Sequence, residues 1–233
     1  ELRLQALRIG EVGIAAIPNE VFGITGLKLK AQSPLRTTFN VELANGADGY
    51  IPPPEHHKLG GYTTWPARTA GLEVNAEPKI VEAMLGLLEK VAGAPRKAVA
   101  ENHGAYAKAV LAGKPLAYWR GNEFSGPKAL DATRRGNDGT YGDGIVFYLE
   151  GPEAAAFSGG QRNRSPHYAG GRMTAAVKGA WPNYSAELWF WNGMPADTKP
   201  VAGYLFGAGD EWLAVGGAGG GVVFGKGAAT LEG

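Results

Sequence analysis

The sequence contains no cysteine, which excludes disulfide staples, a thiolate nucleophile and zinc sites built on cysteine. It leaves the compartment open, since exported proteins without disulfides exist. Neither sign of charge is in excess: 23 Lys and Arg against 22 Asp and Glu leave a net charge of +1. There is accordingly no strongly basic tract to follow a nucleic-acid backbone, and no amphipathic Lys/Arg-rich helix to lie on a membrane. No apolar run approaches the roughly 20 residues that a membrane span needs. Histidine is scarce, and His103 and His167 stand isolated. An initiator methionine and a signal peptide are also missing. The chain opens directly in an alternating segment, which reads as a domain whose start lies upstream, or as a processed terminus.

What is present is globular in texture. Hydrophobic residues make up 44% of the chain and charged residues 19%, and 233 residues suffice for two modest domains or one large one. Leu2 to Ile9 alternates, Val12 to Ile17 is a short apolar run, and Thr38 to Leu43 alternates again; all three read as strands. Val21 to Lys30 has helical spacing weakened by Gly23 and Gly26. The next 30 or so residues are loop-like, with Asn45-Gly46, Asp48-Gly49, Pro52-Pro53-Pro54 and Gly60-Gly61, and a long irregular segment in a domain is usually functional.

The clearest helix runs from Pro78 to Val91, with Ile80, Met84, Leu87, Leu88 and Val91 on one stripe and Gly93-Ala94-Pro95 as its stop. A second helix is expected over Arg96 to Leu111, ended by Gly113-Lys114-Pro115. After Pro115 aromatics sit among glycines and turn residues. Leu188 to Trp191 reads as a strand, with Val201 to Phe206 and Glu211 to Val215 as shorter ones. Gly216 to Gly227 is too rich in glycine to assign. The domain reading is 1–95, a helical linker at 96–114, and 115–233.

Few residues carry chemistry by spacing alone. Glu20 follows a strand-like run and a proline; such a carboxylate serves a metal, a base or a helix cap. Tyr50 and Tyr62 flank the proline-rich loop, where a tyrosine usually packs and makes one hydrogen bond. His56-His57 are adjacent, so their side chains diverge, unlike the one-face pair of a metalloprotease helix; they read as a solvated pair. Gly23 to Lys28 matches neither the Walker nor the dinucleotide spacing. Asn183-Tyr184-Ser185 is a formal glycosylation sequon. Asp131, Asp138 and Asp143 suit either a calcium ion or turn caps. Alternation puts Trp189 and Trp191 on one face of their strand. The size and usual burial of Trp point that face to a core, against the alternative of a sugar-stacking platform.

Two stretches resemble known families. Arg8-Ile9-Gly10, IPNEVFGITGLKLKAQSP (17–34), VELANGADGYIP (41–52) and Gly60-Gly61-Tyr62 stand in the order and at the distances of the neutral/alkaline ceramidase family. The resemblance covers roughly residues 1–92 and corresponds to the end of that family's catalytic domain. It implies a zinc-dependent hydrolase cleaving the amide of N-acyl sphingoid bases, placed outside the cytoplasm or secreted. By the same resemblance, Glu20 of the Pro-x-Glu step and Tyr50 are zinc ligands and Tyr62 is the catalytic tyrosine. Where the family commonly has Glu after this tyrosine, Thr63 stands here. The family's zinc histidines lie upstream, in the rest of the same catalytic domain, so the chain alone is expected to be inactive.

PLAYWR (115–120), Asp131, GNDGTYGDGI (136–145), FSGG (157–160) and YSAELWFW (184–191) resemble laminin-G/concanavalin A-like domains. The implied fold is an α+β hydrolase fragment followed by an all-β jelly-roll sandwich that the chain need not complete. No carboxylate pair of the kind a retaining glycosidase of this fold carries stands on one strand. Three functions follow: part of a zinc amidohydrolase with an accessory domain, a module that binds glycan or a cell-surface protein, with calcium in its second domain, or a purely structural accessory domain.

Overall fold

Gln5–Ile9 (β1) and Val12–Ala16 (β2) pair antiparallel across the turn Gly10-Glu11. The chain then forms Glu20–Val21 (β3), the helix Gly23–Gln32 (α1) and Thr37–Val41 (β4). β4 lies parallel to β2, so the sheet order is β1-β2-β4. A parallel neighbour requires a crossover, and α1 lies within it. Gly26 costs α1 helix propensity, but a Cβ there would overlap the Asn40 side chain on β4, so the glycine lets helix and strand approach. Tyr50–Ile51 (β5) pairs parallel with β3 as a separate two-stranded ribbon. Pro54–Leu59 (α2) and a 3-10 turn at Tyr62–Thr64 follow.

Ala76–Ala92 (α3) contains the helix expected from the apolar stripe. Its buried face is Ile80, Val81, Met84, Leu85 and Leu88, with Leu87 and Val91 at the margin. These residues meet Ala15 and Ile17 of the β2 edge, Leu29 of α1, Leu35 and Ile51 in one core. The second helix is shorter than expected, Ala105–Ala112 (α4). Arg96 and Lys97 are held instead by tertiary bonds: Arg96 donates to both Glu82 and Glu89, and the Lys97 amide to the Gln32 carbonyl. Those partners tie down a stretch that is not helical, where propensity alone would allow helix.

The structure is a computed structural model that describes residues 2–66, 70–99, 103–155, 162–179, 182–193, 203–216, 221–227 and 229–232. The FSGG step at 157–160, Val201, and residues 100–102 and 217–220 of the expected elements lie outside the described residues. The chain divides into two units, Glu1–Gly179 and Ala180–Gly233. In the first, Lys128–Ala129 (β6), Gly139–Tyr141 (β7), Ile145–Glu150 (β8), Arg164–Tyr168 (β9) and Met173–Ala175 (β10) follow α4. They form a three-stranded sheet β10-β7-β6 and a ribbon β8-β9. Ala129, Tyr141, Ile145 and Phe147 make its small core. In the second unit, Gly203–Ala208 (β11), Glu211–Gly216 (β12), Gly221–Lys226 (β13) and Ala229–Glu232 (β14) form an antiparallel meander in sequence order.

The described residues form a mixed α+β architecture, in place of the α+β fragment followed by an all-β concanavalin A-like jelly roll that the sequence implies. Among the described residues the sheets are small and open, and no curled two-sheet sandwich forms. A jelly roll pairs strands distant in sequence, whereas every pairing in the meander joins consecutive strands. Among the described residues, the expected strand at Leu188 to Trp191 is not part of any sheet. With no sheet face to sort them, Trp189 is 60% and Trp191 89% exposed, contrary to the core position that alternation and size predict.

Candidate functional site

Two of the three residues singled out by the ceramidase resemblance face each other on one ribbon, and the third, Tyr62, meets them from the 3-10 turn. β3 and β5 are parallel with Glu20 directly opposite Tyr50. Their side chains are half-buried. Hydrogen bonding toward Glu20, then burial, then the Glu20 charge raise the Tyr50 phenol above its ordinary range. The Tyr62 ring meets Tyr50 edge to face at 5.7 Å, an ordinary favourable aromatic geometry. Gly60 and Gly61, at φ 77° and 98°, turn the chain after α2 in a way that side chains resist, and so bring the Tyr62 turn beneath β5.

Sequence reasoning missed the residue that sets the register. Asn19 is 1% exposed and adopts φ 68°, a left-handed backbone that asparagine tolerates better than most residues. Its side-chain oxygen accepts the Asp48 amide at 2.9 Å, and its own amide donates to the Gly46 carbonyl at 3.1 Å. The Glu20 amide donates to the Gly49 carbonyl at 3.0 Å. The Asn45 to Gly49 turn is thereby tied to the residue before Glu20, which fixes Tyr50 opposite it. The sequence shows only that an asparagine stands between Pro18 and the candidate carboxylate, which does not specify this role.

The four histidines do not join this ribbon into a metal group: among the described residues no three His, Asp or Glu side chains are disposed to hold a metal ion. His56 packs edge to face on Phe22 at 4.8 Å; burial, the first cause, and the Lys28 charge push it down from its ordinary range. His103 Nδ1 lies 3.3 Å from the Arg120 guanidinium, so it accepts from that obligate donor. His167 lies in β9.

The three aspartates considered for calcium are occupied separately. Asp131 accepts from the Tyr118, Thr133 and Asn137 amides and from the Thr133 hydroxyl. Burial pushes its carboxyl up, and these bonds outweigh that and hold it below its ordinary range. Asp138 accepts the Asp131 amide and pairs with Lys128. Asp143 is exposed and pairs with Lys58 of α2 at 2.6 Å. A hollow of about 220 Å³ lies elsewhere, beside Lys28, Glu77 and Phe124, and is not lined by Glu20, Tyr50 or Tyr62.

Comparison with protein families, curated proteins and solved structures returns no match for this chain.

Proposed function

We propose that this chain supplies part of the active site of a zinc-dependent amidohydrolase acting on N-acyl amphiphiles, the activity implied by its resemblance to neutral/alkaline ceramidases. The observation that carries the reading is the pairing of Glu20 with Tyr50 across the β3-β5 ribbon, with Tyr62 against Tyr50. The donor chemistry fits half a zinc shell. The half-buried Glu20 carboxylate and Tyr50 phenol stand at opposite positions of the ribbon, and catalytic zinc takes about three protein ligands and a water. The remaining ligands belong, on this reading, to histidines of the preceding part of the catalytic domain. Zinc when bound supplies an acidified water and a Lewis acid for the amide carbonyl.

This chain's own residues then have separate tasks. Glu20 would hold the metal by its negative charge, and the Tyr50 oxygen would be a second ligand from this chain. Tyr62, 57% exposed beside them, donates to the carbonyl oxygen as negative charge develops on it. The reading is tested by hydrolysis of an N-acyl sphingoid base by the longer protein it implies. Tyr62→Phe should lower kcat on the order of 100-fold with KM little changed, the signature of a donor that acts only as charge develops. An unchanged kcat removes Tyr62 from the chemistry.

One observation favours a second reading, a binding module. Trp189, Phe190 and Trp191 are all substantially exposed, and exposed indoles stack on sugar rings. A glycan array separates this from the first reading: saturable binding lost in Trp191→Ala supports it, and no binding opposes it.

A further inference from the structure

Between Tyr50 and Tyr62 the chain runs through α2, and α2 is lightly fastened. It is six residues long, none of them is buried, and its N-cap makes no side-chain bond. A helix this short does not hold itself in water, so tertiary contacts keep it in place. Its two ends differ in stiffness. Pro52 and Pro53, both buried, lead into it, and their rings fix φ. Gly60 and Gly61 lead out of it at φ 77° and 98°. Glycine moves between backbone regions more readily than any other residue, so the hinge lies on the Tyr62 side.

Three side chains of α2 bear on its docking. The His56 ring meets Phe22, the residue before α1, edge to face at 4.8 Å. Lys58 pairs with Asp143 at 2.6 Å, but both groups are exposed, and such a pair contributes little. Glu55 is the third, and its Oε1 is buried without a hydrogen-bond partner. As a neutral acid this oxygen is tolerable there; as a carboxylate it is an anion taken out of water. The charged groups that face Glu55 are Lys28 of α1 and Glu77 of α3. They already satisfy one another at 3.0 and 3.1 Å, so Lys28 is committed and the Glu77 charge opposes a second anion. On the β8 side the charged group is Asp143, held by Lys58. His56 and His57 flank Glu55 on α2 itself. Burial, the largest influence on Glu55, leaves its carboxyl above the ordinary range. Once ionised, Glu55 reaches water by lifting α2 off its bed.

We propose that α2 is a proton-controlled strap. With Glu55 protonated it lies closed and holds the Tyr62 ring against Tyr50, 5.7 Å between centroids. With Glu55 ionised it lifts on the Gly60-Gly61 hinge and carries Tyr62 away. The device follows from packing and charge, and its readout uses neither zinc nor turnover. Only its consequence rests on the amidohydrolase reading: there the strap sets when Tyr62 stands beside the reacting carbonyl.

The test is hydrogen exchange of the full 233-residue chain, read by mass spectrometry from pH 4.5 upward into mild alkali. Each rate is divided by the intrinsic rate at that pH. Opening of peptides covering 54–64 should rise with pH, by at most about tenfold per unit, the limit for one proton lost. Peptides covering the buried face of α3, 80–88, should stay protected throughout. Glu55→Gln and Glu55→Met cannot ionise, and each should remove the rise; two variants guard against one that misfolds. His56 answers pH in the opposite sense, charging as pH falls. His56→Phe, which keeps a ring on Phe22, should therefore leave the rise intact. The proposal is overturned if 54–64 opens to the same extent at every pH, or if the rise survives both Glu55 variants. It is overturned equally if 80–88 opens in step, since the whole fold and not the strap is then responding.

Discussion

At α2, two neighbouring residues are both pushed toward neutrality. Glu55 has a buried Oε1 with no hydrogen-bond partner. Burial raises its carboxyl above the ordinary range of 4.5, and Glu77 adds to this, while its own backbone amide and Lys28 pull the other way. His56, beside it, is lowered from 6.5 by burial, by Lys28 and by His57, against an opposing pull from Glu77. The signs are opposite. For Glu55 the stabilising contribution is complete below about 4.5 and is lost as pH rises through the raised folded value. For His56 it is complete above about 6.5 and is lost as pH falls through the lowered folded value. Glu55→Gln, which cannot ionise, should therefore gain stability relative to wild type as pH rises above 4.5, read by urea melts at several pH values. A difference that stays constant with pH would show that Glu55 is not held in its neutral form. Neither behaviour was legible in the sequence: His56-His57 read as a solvated pair, and only the contact with Phe22 shows that one ring is turned inward.

At the scale of elements, α1 and α3 are joined by charge as well as by apolar packing. Glu77, fully buried in the first turn of α3, accepts from Lys28 at 3.0 and 3.1 Å and from the Thr25 hydroxyl at 2.9 Å. Its place at a helix N-terminus also suits a carboxylate. Removing one partner strands a buried charge, which costs about 3–5 kcal/mol, whereas replacing both by apolar residues of similar size is often neutral. Lys28→Met and Glu77→Leu should each destabilise by about that amount, and the double variant by much less, as measured by denaturant unfolding. Additive losses would mean that the two groups are not coupled. The helix itself was legible, because a stripe of Ile80, Met84 and Leu88 has only one way to be buried. Its charged clasp was not, because Lys28 and Glu77 are 49 residues apart and each alone resembles a surface residue.

For the whole molecule, legibility follows how locally each element is determined. β1, β2 and β4 lie where the alternation and the short apolar run placed strands, although the alternating residues Phe39, Val41 and Leu43 are exposed and Thr38 is the buried one. The strand expected at Leu188 to Trp191 failed because alternation describes a strand only when a ladder partner exists, and none is paired with it among the described residues. The jelly roll failed for the same reason on a larger scale: motifs shared with that fold carry turns and aromatics, not long-range pairing. At the candidate site the family resemblance named Glu20, Tyr50 and Tyr62; the ribbon sets Glu20 opposite Tyr50, and the turn after α2 sets the Tyr62 ring against Tyr50. Asn19, which holds the turn between them, was invisible because its role lies in a backbone angle and a buried amide contact.

The central claim is that Glu20 and Tyr50 are paired donors to one zinc ion. It is tested most directly by the zinc content of the full-length parent protein, purified without chelator and measured by atomic emission. The wild type should carry about one zinc per chain, as a single catalytic site requires, and the Glu20→Ala Tyr50→Ala double variant should lose most of it while still folding. No zinc in the wild type, or the same zinc in the double variant, would contradict the account.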